Sequence, residues 1–337
     1  MNYRNTIQGE RLKFYEIAED VYAAISPYRG LCWCNAGFIN KGKGLAYDAF
    51  FDLHHAEEMR AQYERLSGRH EPAILVNSHY NCDHTWGNKV FKNSTIIMHE
   101  GVMEEHLTEH IPFWQNVVAN GDKGSLGEQF LHNELKGFDL TGVEWLDPDV
   151  TIKDDITIRL DDMICEVRSV APAHSASDLL MWLPREKVVF CGDLVFNGIV
   201  AYSAEGLRNW MKAFDYIIDL NPDVVVPGHG KLCGVEFVKE QKAYCANLFS
   251  EFEKHYDDEI GFVELAKKVN IDDYLHWLQP ERIVLNIRTL WLERHNTSLK
   301  PDWEINAALL SEMRDYLHNK HGNNLPVWDP MSVWVDE

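Results

Sequence analysis

The sequence is short of positive charge. Its 32 lysines and arginines face 53 aspartates and glutamates, a formal net charge of −21 at neutral pH. A surface this acidic repels phosphate backbones and anionic headgroups, so neither nucleic acid nor a membrane surface is expected as a partner. Long apolar runs are missing: none approaches the ~18 residues that cross a bilayer. The first thirty residues hold no apolar core between a basic start and a small-residue cleavage site, so no secretory leader is expected. Repeats, low-complexity tracts and Pro/Gly/Ser linkers are absent too. Cysteine occurs in an odd number, seven, scattered along the chain. That fits reduced thiols and a cytoplasmic location better than a disulfide framework. Cys32-x-Cys34 has the wrong spacing for a zinc knuckle or a redox pair. The two are expected half-buried on one face of a strand.

What is present is globular usage: 45% hydrophobic and 25% charged residues make order the default. A length of 337 residues allows one large domain with an appended subdomain. Apolar or alternating runs punctuated by Gly and Pro predict strands over 21–26, 32–39, 44–47, 73–76 and 94–98. A second group is predicted over 150–152, 156–160, 164–169, 179–183, 188–191 and 224–226. Helical spacing marks 53–66 and 207–220. Between about 104 and 142 the pattern turns helical, aromatic and glycine-broken, an insert suited to covering a pocket. After about 235 strand signals stop, and helices are predicted over 235–254, 262–268, 280–294 and 301–319. The expected organisation is a domain over 1–234, interrupted by the insert, and a helical extension over 235–337.

Four polar segments each follow an apolar run, where a loop projects side chains from a sheet edge. They are Ser78-His79-Tyr80-Asn81-Cys82-Asp83-His84, Ala173-His174-Ser175, Gly192-Asp193-Leu194 and Gly228-His229-Gly230. Their imidazoles and carboxylates are ligand types that zinc, iron and manganese accept. In an extended stretch residues two apart face the same way, so His79 and Asn81 can reach one metal. Asp83 and His84 follow after a turn and can reach a second. His174 completes the first site and His229 the second, and Asp193 has two oxygens with which to bridge them. Two ions ~3.5–4 Å apart would hold a hydroxide between them.

The segment 77–88, NSHYNCDHTWGN, resembles the His-x-His-x-Asp-His signature of the metallo-β-lactamase-fold hydrolases. The His174, Asp193 and His229 segments resemble that family's later motifs, in the family's order. The resemblance covers roughly residues 15–232; four ordered motifs are a strong signal where one would be weak. It implies an α/β fold, an αββα sandwich, here with a C-terminal helical extension. It implies His79 and His174 on one metal, Asp83, His84 and His229 on another, and Asp193 bridging. Asp83 would also orient the nucleophilic hydroxide. Zinc is the implied cofactor, one or two ions, with iron or manganese as alternatives. An aspartate at the bridging position resembles the glyoxalase II, lactonase and phosphodiesterase branches more than the true β-lactamases. Asn81 departs from the family, which usually has histidine there. A neutral amide oxygen is a weaker ligand, so the first site is expected to hold metal more loosely, or to hold a harder ion.

The expected activity is hydrolysis of a small-molecule ester, thioester or lactone by a metal-held hydroxide. Phosphate or sulfate esters and β-lactams are the alternatives. A di-iron oxidase on the same fold usually has Glu at the position of Asn81 and a flavin domain, and neither is present. A non-catalytic ligand-binding relative has only Asn81 in its favour. Around the ligands, Asp48 and Asp178 are expected to support them through hydrogen bonds, and Cys82 to pack beside them. Phe113 and Trp114 are either core of the insert or an apolar wall for substrate. Tyr80 is expected to point away from His79 and Asn81. His106 and His110, four apart, are weak metal candidates, and the remaining histidines are ordinary. The apolar faces of the C-terminal helices suit either closure over the site or a homodimer interface.

Overall fold

The computed structural model describes residues 3–27, 30–204, 206–297, 302–322 and 325. The strands are β1 Asn5–Gln8, β2 Lys13–Ala18, β3 Val21–Ile25, β4 Ala36–Ile39, β5 Leu45–Tyr47, β6 Ile74–Val76, β7 Thr95–His99, β8 Val150–Ile152, β9 Ile156–Leu160, β10 Met163–Ser169, β11 Leu179–Leu183, β12 Val188–Phe190, β13 Phe196–Asn197, β14 Val224–Val226 and β15 His229–Gly230. The α-helices are α1 Leu53–Ser67, α2 Cys82–Thr85, α3 Val102–Glu105, α4 Ile111–Asn120, α5 Leu126–Glu134, α6 Leu207–Leu220, α7 Val235–His255, α8 Phe262–Lys268, α9 Ile283–Arg294 and α10 Trp303–His321.

Strands β1 to β8 form one sheet in chain order, antiparallel as far as β5 and parallel from there. The second sheet runs β14-β12-β11-β10-β9, and β13 pairs with β15. Side chains alternate across each strand and sort into separate cores. Val21, Ala23, Val76, Leu179, Met181, Val188 and Phe190 meet between the sheets. Tyr22, Ala24, Phe38 and Ala46 face outward and are covered by Met59 and Tyr63 of α1. On the far side Leu180, Val189 and Val225 pack with Trp210, Phe214 and Ile217 of α6. The layers are therefore helix, sheet, sheet, helix.

Helix α1 starts where the Asp52 carboxylate accepts the backbone N–H of His55, and stops at Gly68 with φ of 70°. Helix α6 buries Leu207, Trp210, Ala213, Phe214 and Ile217, one stripe of a 3.6-residue period. In α9 the eight residues from Ile283 to Leu290 are all buried, so this helix is the core of the C-terminal extension. Its Asn286 amide donates to the Ala201 carbonyl at 2.8 Å, and Thr289 Oγ1 donates to the Ser203 carbonyl at 2.9 Å. The extension thus braces the loop after β13. Helix α10 lies along α5 of the insert, where Ala307 stands against Gly127.

Strands β8, β9, β11 and β14 and helices α6 and α8 fall where periodicity places them. The hairpin of β1 and β2 was not expected: Asn5–Gln8 is an exposed edge whose one apolar residue, Ile7, carries no period. The predicted strand over 32–39 begins only at Ala36. Cys32 has a left-handed φ of 66°, so Cys32 and Cys34 do not share a strand face; only Cys34 makes a bridge, to His229. The predicted helix over 280–294 opens with a 3-10 turn, Pro280–Arg282. Position 301, where the last helix was expected to start, lies outside the described residues. All seven cysteines are free and buried, and among the described residues no helix is long and apolar enough to cross a membrane.

Candidate metal centre

Each predicted site residue stands just past a strand. Asp48 follows β5, the segment from His79 to His84 follows β6, His174 lies between β10 and β11, Asp193 follows β12, and His229 opens β15. Close approach needs glycine at two positions. A Cβ on Gly228 would stand 2.1 Å from Asp193 Oδ1, and one on Gly192, whose φ is 51°, would stand 2.4 Å from Ser78 Cβ.

Four imidazoles converge on Asp193. Its Oδ1 lies 3.0 Å from His84 Nε2 and 3.2 Å from His229 Nε2. Its Oδ2 lies 3.6 Å from His174 Nε2 and 3.9 Å from His79 Nε2. Asp83 Oδ2 closes the first group, 3.4 Å from His229 Nε2 and 3.6 Å from His84 Nε2. Asn81 Oδ1 closes the second, 2.6 Å from His79 Nε2 and 3.0 Å from His174 Nε2.

The opposite ring nitrogens are all engaged. His84 Nδ1 lies 2.8 Å from Asp48 Oδ2, His229 Nδ1 3.0 Å from the Trp33 carbonyl, and His174 Nδ1 2.6 Å from the Tyr202 carbonyl. His79 Nδ1 lies 2.9 Å from Ser78 Oγ, whose own proton goes to Asp48 Oδ2. With Nδ1 donating in every case, each ring in its neutral form would turn an Nε2 lone pair to the centre.

These residues fit a divalent cation. His84 Nε2 and Asp193 Oδ1 are buried 3.0 Å apart, yet neither makes a hydrogen bond. They aim at a common point rather than at each other. Ligands held about 2.0–2.1 Å from a tetrahedral zinc stand about 3.3 Å apart. The four carboxylate-to-imidazole separations, from Asp83 Oδ2 and Asp193 Oδ1 to the Nε2 atoms of His84 and His229, run from 3.0 to 3.6 Å and bracket that spacing. The Asn81 group is tighter on its amide side. Without a cation, that amide oxygen would face two imidazole lone pairs.

Electrostatics agree. Burial and the neighbouring His84 push His79 well below the usual histidine range, and burial lowers His174 too, so both sites favour the neutral ring. Burial alone would depress His84, but Asp193, Asp83 and Asp48 hold it well above its ordinary value. Burial would raise Asp193, but His229 and His84 hold it well below.

Asp48 is fully buried and binds Ser78 twice, through its backbone N–H and its hydroxyl, besides His84. Asp178 accepts the backbone N–H groups of Ala173 and Ser175 and the Ser175 hydroxyl, fixing the loop that carries His174. Cys82 is buried beside Cys32. Burial pushes the Cys32 thiol up to about 11 and Cys82 well above its usual value. Phe113 and Trp114 do not wall the cavity over the ligands; with His110 and Trp303 they line a neighbouring hollow. Tyr80 lines the same cavity as Asn81, contrary to the extended-chain expectation, because residues 78–80 form a bend rather than an extended stretch. His106 stacks on Trp145 and bonds the Val102 carbonyl, so it forms no pair with His110.

Sequence reasoning missed several contributors. Asn35 ties the His229 loop by donating to the carbonyls of Pro227 and Gly230. Glu109, from the insert, accepts the Asn81 amide N–H at 3.2 Å and the Trp114 indole N–H at 3.0 Å. Burial raises the Glu109 carboxyl to about 7. Arg282, from the extension, lines the cavity beside Asp193 and His229. Only Asn35, one of the few polar residues in an apolar run, left any mark in the sequence.

In fold the chain is similar to the sec-alkylsulfatase Pisa1 from Pseudomonas sp., with a TM-score of 0.58 and 16% identity over 95% of this chain and 52% of that one. It therefore spans about half that enzyme's length. A metallo-beta-lactamase family protein from Thermus thermophilus aligns with a TM-score of 0.57 and 15% identity, covering 83% of this chain and 95% of that one. A Caenorhabditis elegans protein, "Beta-lactamase-like protein 2 homolog", is 35% identical over 60 residues, 18% of this chain and 20% of its own length. The family model described as "Metallo-beta-lactamase superfamily" matches residues 29–229, more than half of the chain and every segment that faces Asp193. The chain belongs to the metallo-beta-lactamase superfamily.

Proposed function

We propose that the chain is a metal-dependent hydrolase of an ester, thioester or lactone. One observation carries this reading: four histidine Nε2 atoms converge on the two oxygens of Asp193 while every Nδ1 is committed elsewhere. Asp83, His84 and His229 with Asp193 Oδ1 would hold one ion, zinc by its ligand set. His79, His174 and Asn81 with Asp193 Oδ2 would hold a second, less tightly. Bound divalent ions supply an acidified water and polarise the scissile group.

The chain's own residues do the rest. Asp83 lines the cavity beside His84 and His229, placed to orient the attacking water and take its proton. Leu31, Tyr80, Phe196 and Leu285 give the cavity an apolar wall that excludes bulk water. The aspartate at the bridging position and the helical extension over the cavity favour carboxylic esters. A sulfate ester is the second reading, favoured by the likeness in fold to a sec-alkylsulfatase over nearly the whole chain.

The test is a panel of p-nitrophenyl acetate, a thioester, a lactone, p-nitrophenyl sulfate and p-nitrophenyl phosphate, run before and after chelation. Turnover of a carboxylic ester that vanishes with chelation and returns with zinc is expected. Turnover that survives metal removal, or its absence from the whole panel, overturns the proposal.

A further inference from the structure

Arg282 ends the 3-10 turn that leads into α9 and is 6% exposed. Its guanidinium stands 5.3 Å from the centre of the Phe196 ring, and the residue lines the cavity that holds Asn81, Asp83, Asp193 and His229. Its backbone N–H donates to the Gln279 carbonyl at 3.1 Å, but among the described residues its guanidinium makes no hydrogen bond and no ion pair. The arginines nearby behave differently. Arg288, 8% exposed, donates to Asn306 Oδ1 at 2.6 Å, and Arg314 pairs with both Glu134 and Glu281.

At 6% exposure Arg282 gives up most of its water, and its unpartnered N–H donors keep solvent only through the cavity. One Phe face offsets only part of that loss. The planar fork matches the paired oxygens of a carboxylate, sulfate or phosphate. The protein's overall charge of −21 draws no anion to this place, so the attraction must be local. The cavity it lines has Leu31, Phe196, Leu285, Trp303 and Leu310 among its apolar walls and Asp83, Glu109 and Asp193 as its carboxylates, which leaves Arg282 as its arginine.

We propose that Arg282 is an oxyanion-binding residue and that the cavity takes amphiphilic acids, molecules with an apolar body and one carboxylate, sulfate or phosphate group. The binding claim stands on Arg282 and the cavity; that such a molecule is also cleaved here rests on the hydrolase reading above. The C-terminal extension then selects substrate, because it supplies the arginine and much of the apolar wall to a metal centre built by the sandwich.

The experiment measures binding of hexanoate, hexyl sulfate, hexyl phosphate and neutral hexanol by calorimetry, on the full chain as purified. Metal content is determined on the same samples. Wild type is expected to bind at least one anion tenfold or more tighter than hexanol. Arg282→Gln is expected to lose roughly ten- to hundredfold on that anion and nothing on hexanol. Arg282→Lys keeps the charge without the fork and should fall between them, and it carries the test if the glutamine variant does not fold. The preferred head group tells carboxylate from sulfate from phosphate. Anions held equally by wild type and variant, or no tighter than hexanol, overturn the proposal, since direct coordination to a metal would not depend on Arg282. Selective anion binding without any turnover would fail the hydrolase reading and leave this one standing.

Discussion

Glu109 holds Asn81 by its amide nitrogen, 3.2 Å from Oε1, and so turns the amide oxygen toward His79 and His174. Trp114 in turn holds the second oxygen of Glu109. This clamp gives the one ligand position that departs from the family signature a defined orientation. Asn81 stands with its acceptor inward, as a metal ligand must.

Breaking the clamp should loosen the site it serves. Glu109→Ala is expected to weaken the more loosely held ion by roughly 10–100-fold, the usual effect of removing a ligand's support, and to spare the other ion. Competition with a chromophoric chelator reads both affinities. Equal weakening of both ions would refute a role specific to Asn81.

The same carboxyl has a pH signature in the metal-free protein. Burial raises Glu109 from 4.5 to about 7 in the folded state, so the fold prefers its protonated form. Its contribution to stability is complete below about 4.5 and is lost as pH rises through about 7. The chelator-treated protein should lose thermal stability across that window, and Glu109→Gln should flatten the loss. Superimposable profiles for the two proteins would contradict the raised value.

Gly228→Ala puts a methyl group 2.1 Å from Asp193 Oδ1 and 2.6 Å from the Gly192 carbonyl carbon, where backbone cannot yield. The variant is expected to lose about 1–3 kcal/mol of stability and to bind less than one metal per chain. Denaturant titration and elemental analysis test the two halves. A variant with normal metal content would mean that Asp193 is not the shared ligand.

Asp48→Ala removes the acceptor of His84 Nδ1 and of Ser78 while leaving every proposed ligand in place. Breaking this buried pair should cost about 3–5 kcal/mol and weaken the ion held by His84. Asp48→Asn keeps a carbonyl acceptor and should recover part of the loss. If the alanine variant unfolds no sooner than wild type, the pair does not carry the load assigned to it.

The ligand loops were legible because each follows an apolar strand, as His79 follows β6 and Asp193 follows β12, whereas the sandwich came only from the resemblance of those loops to the family's motifs. Local spacing reaches no further than that. Glu109 and Arg282 act on the centre from the insert and the extension, and nothing in their neighbours along the chain ties them to His79 or Asp193. Trp33 and Tyr202 hold His229 and His174 through backbone carbonyls, which no side-chain pattern reveals. The Cys32 expectation failed because alternation says nothing of a residue that turns left-handed just before its strand. Phe113 and Trp114 were rightly placed in the insert, but which hollow they line depends on how α10 docks.

The most direct test of the metal centre is elemental analysis of the chain equilibrated with excess zinc and then desalted, beside an Asn81→His variant. Two ions per wild-type chain, the second lost first on dilution and retained by the variant, is the predicted result. No stoichiometric metal in either protein would contradict the metal centre, and with it the hydrolase built upon it.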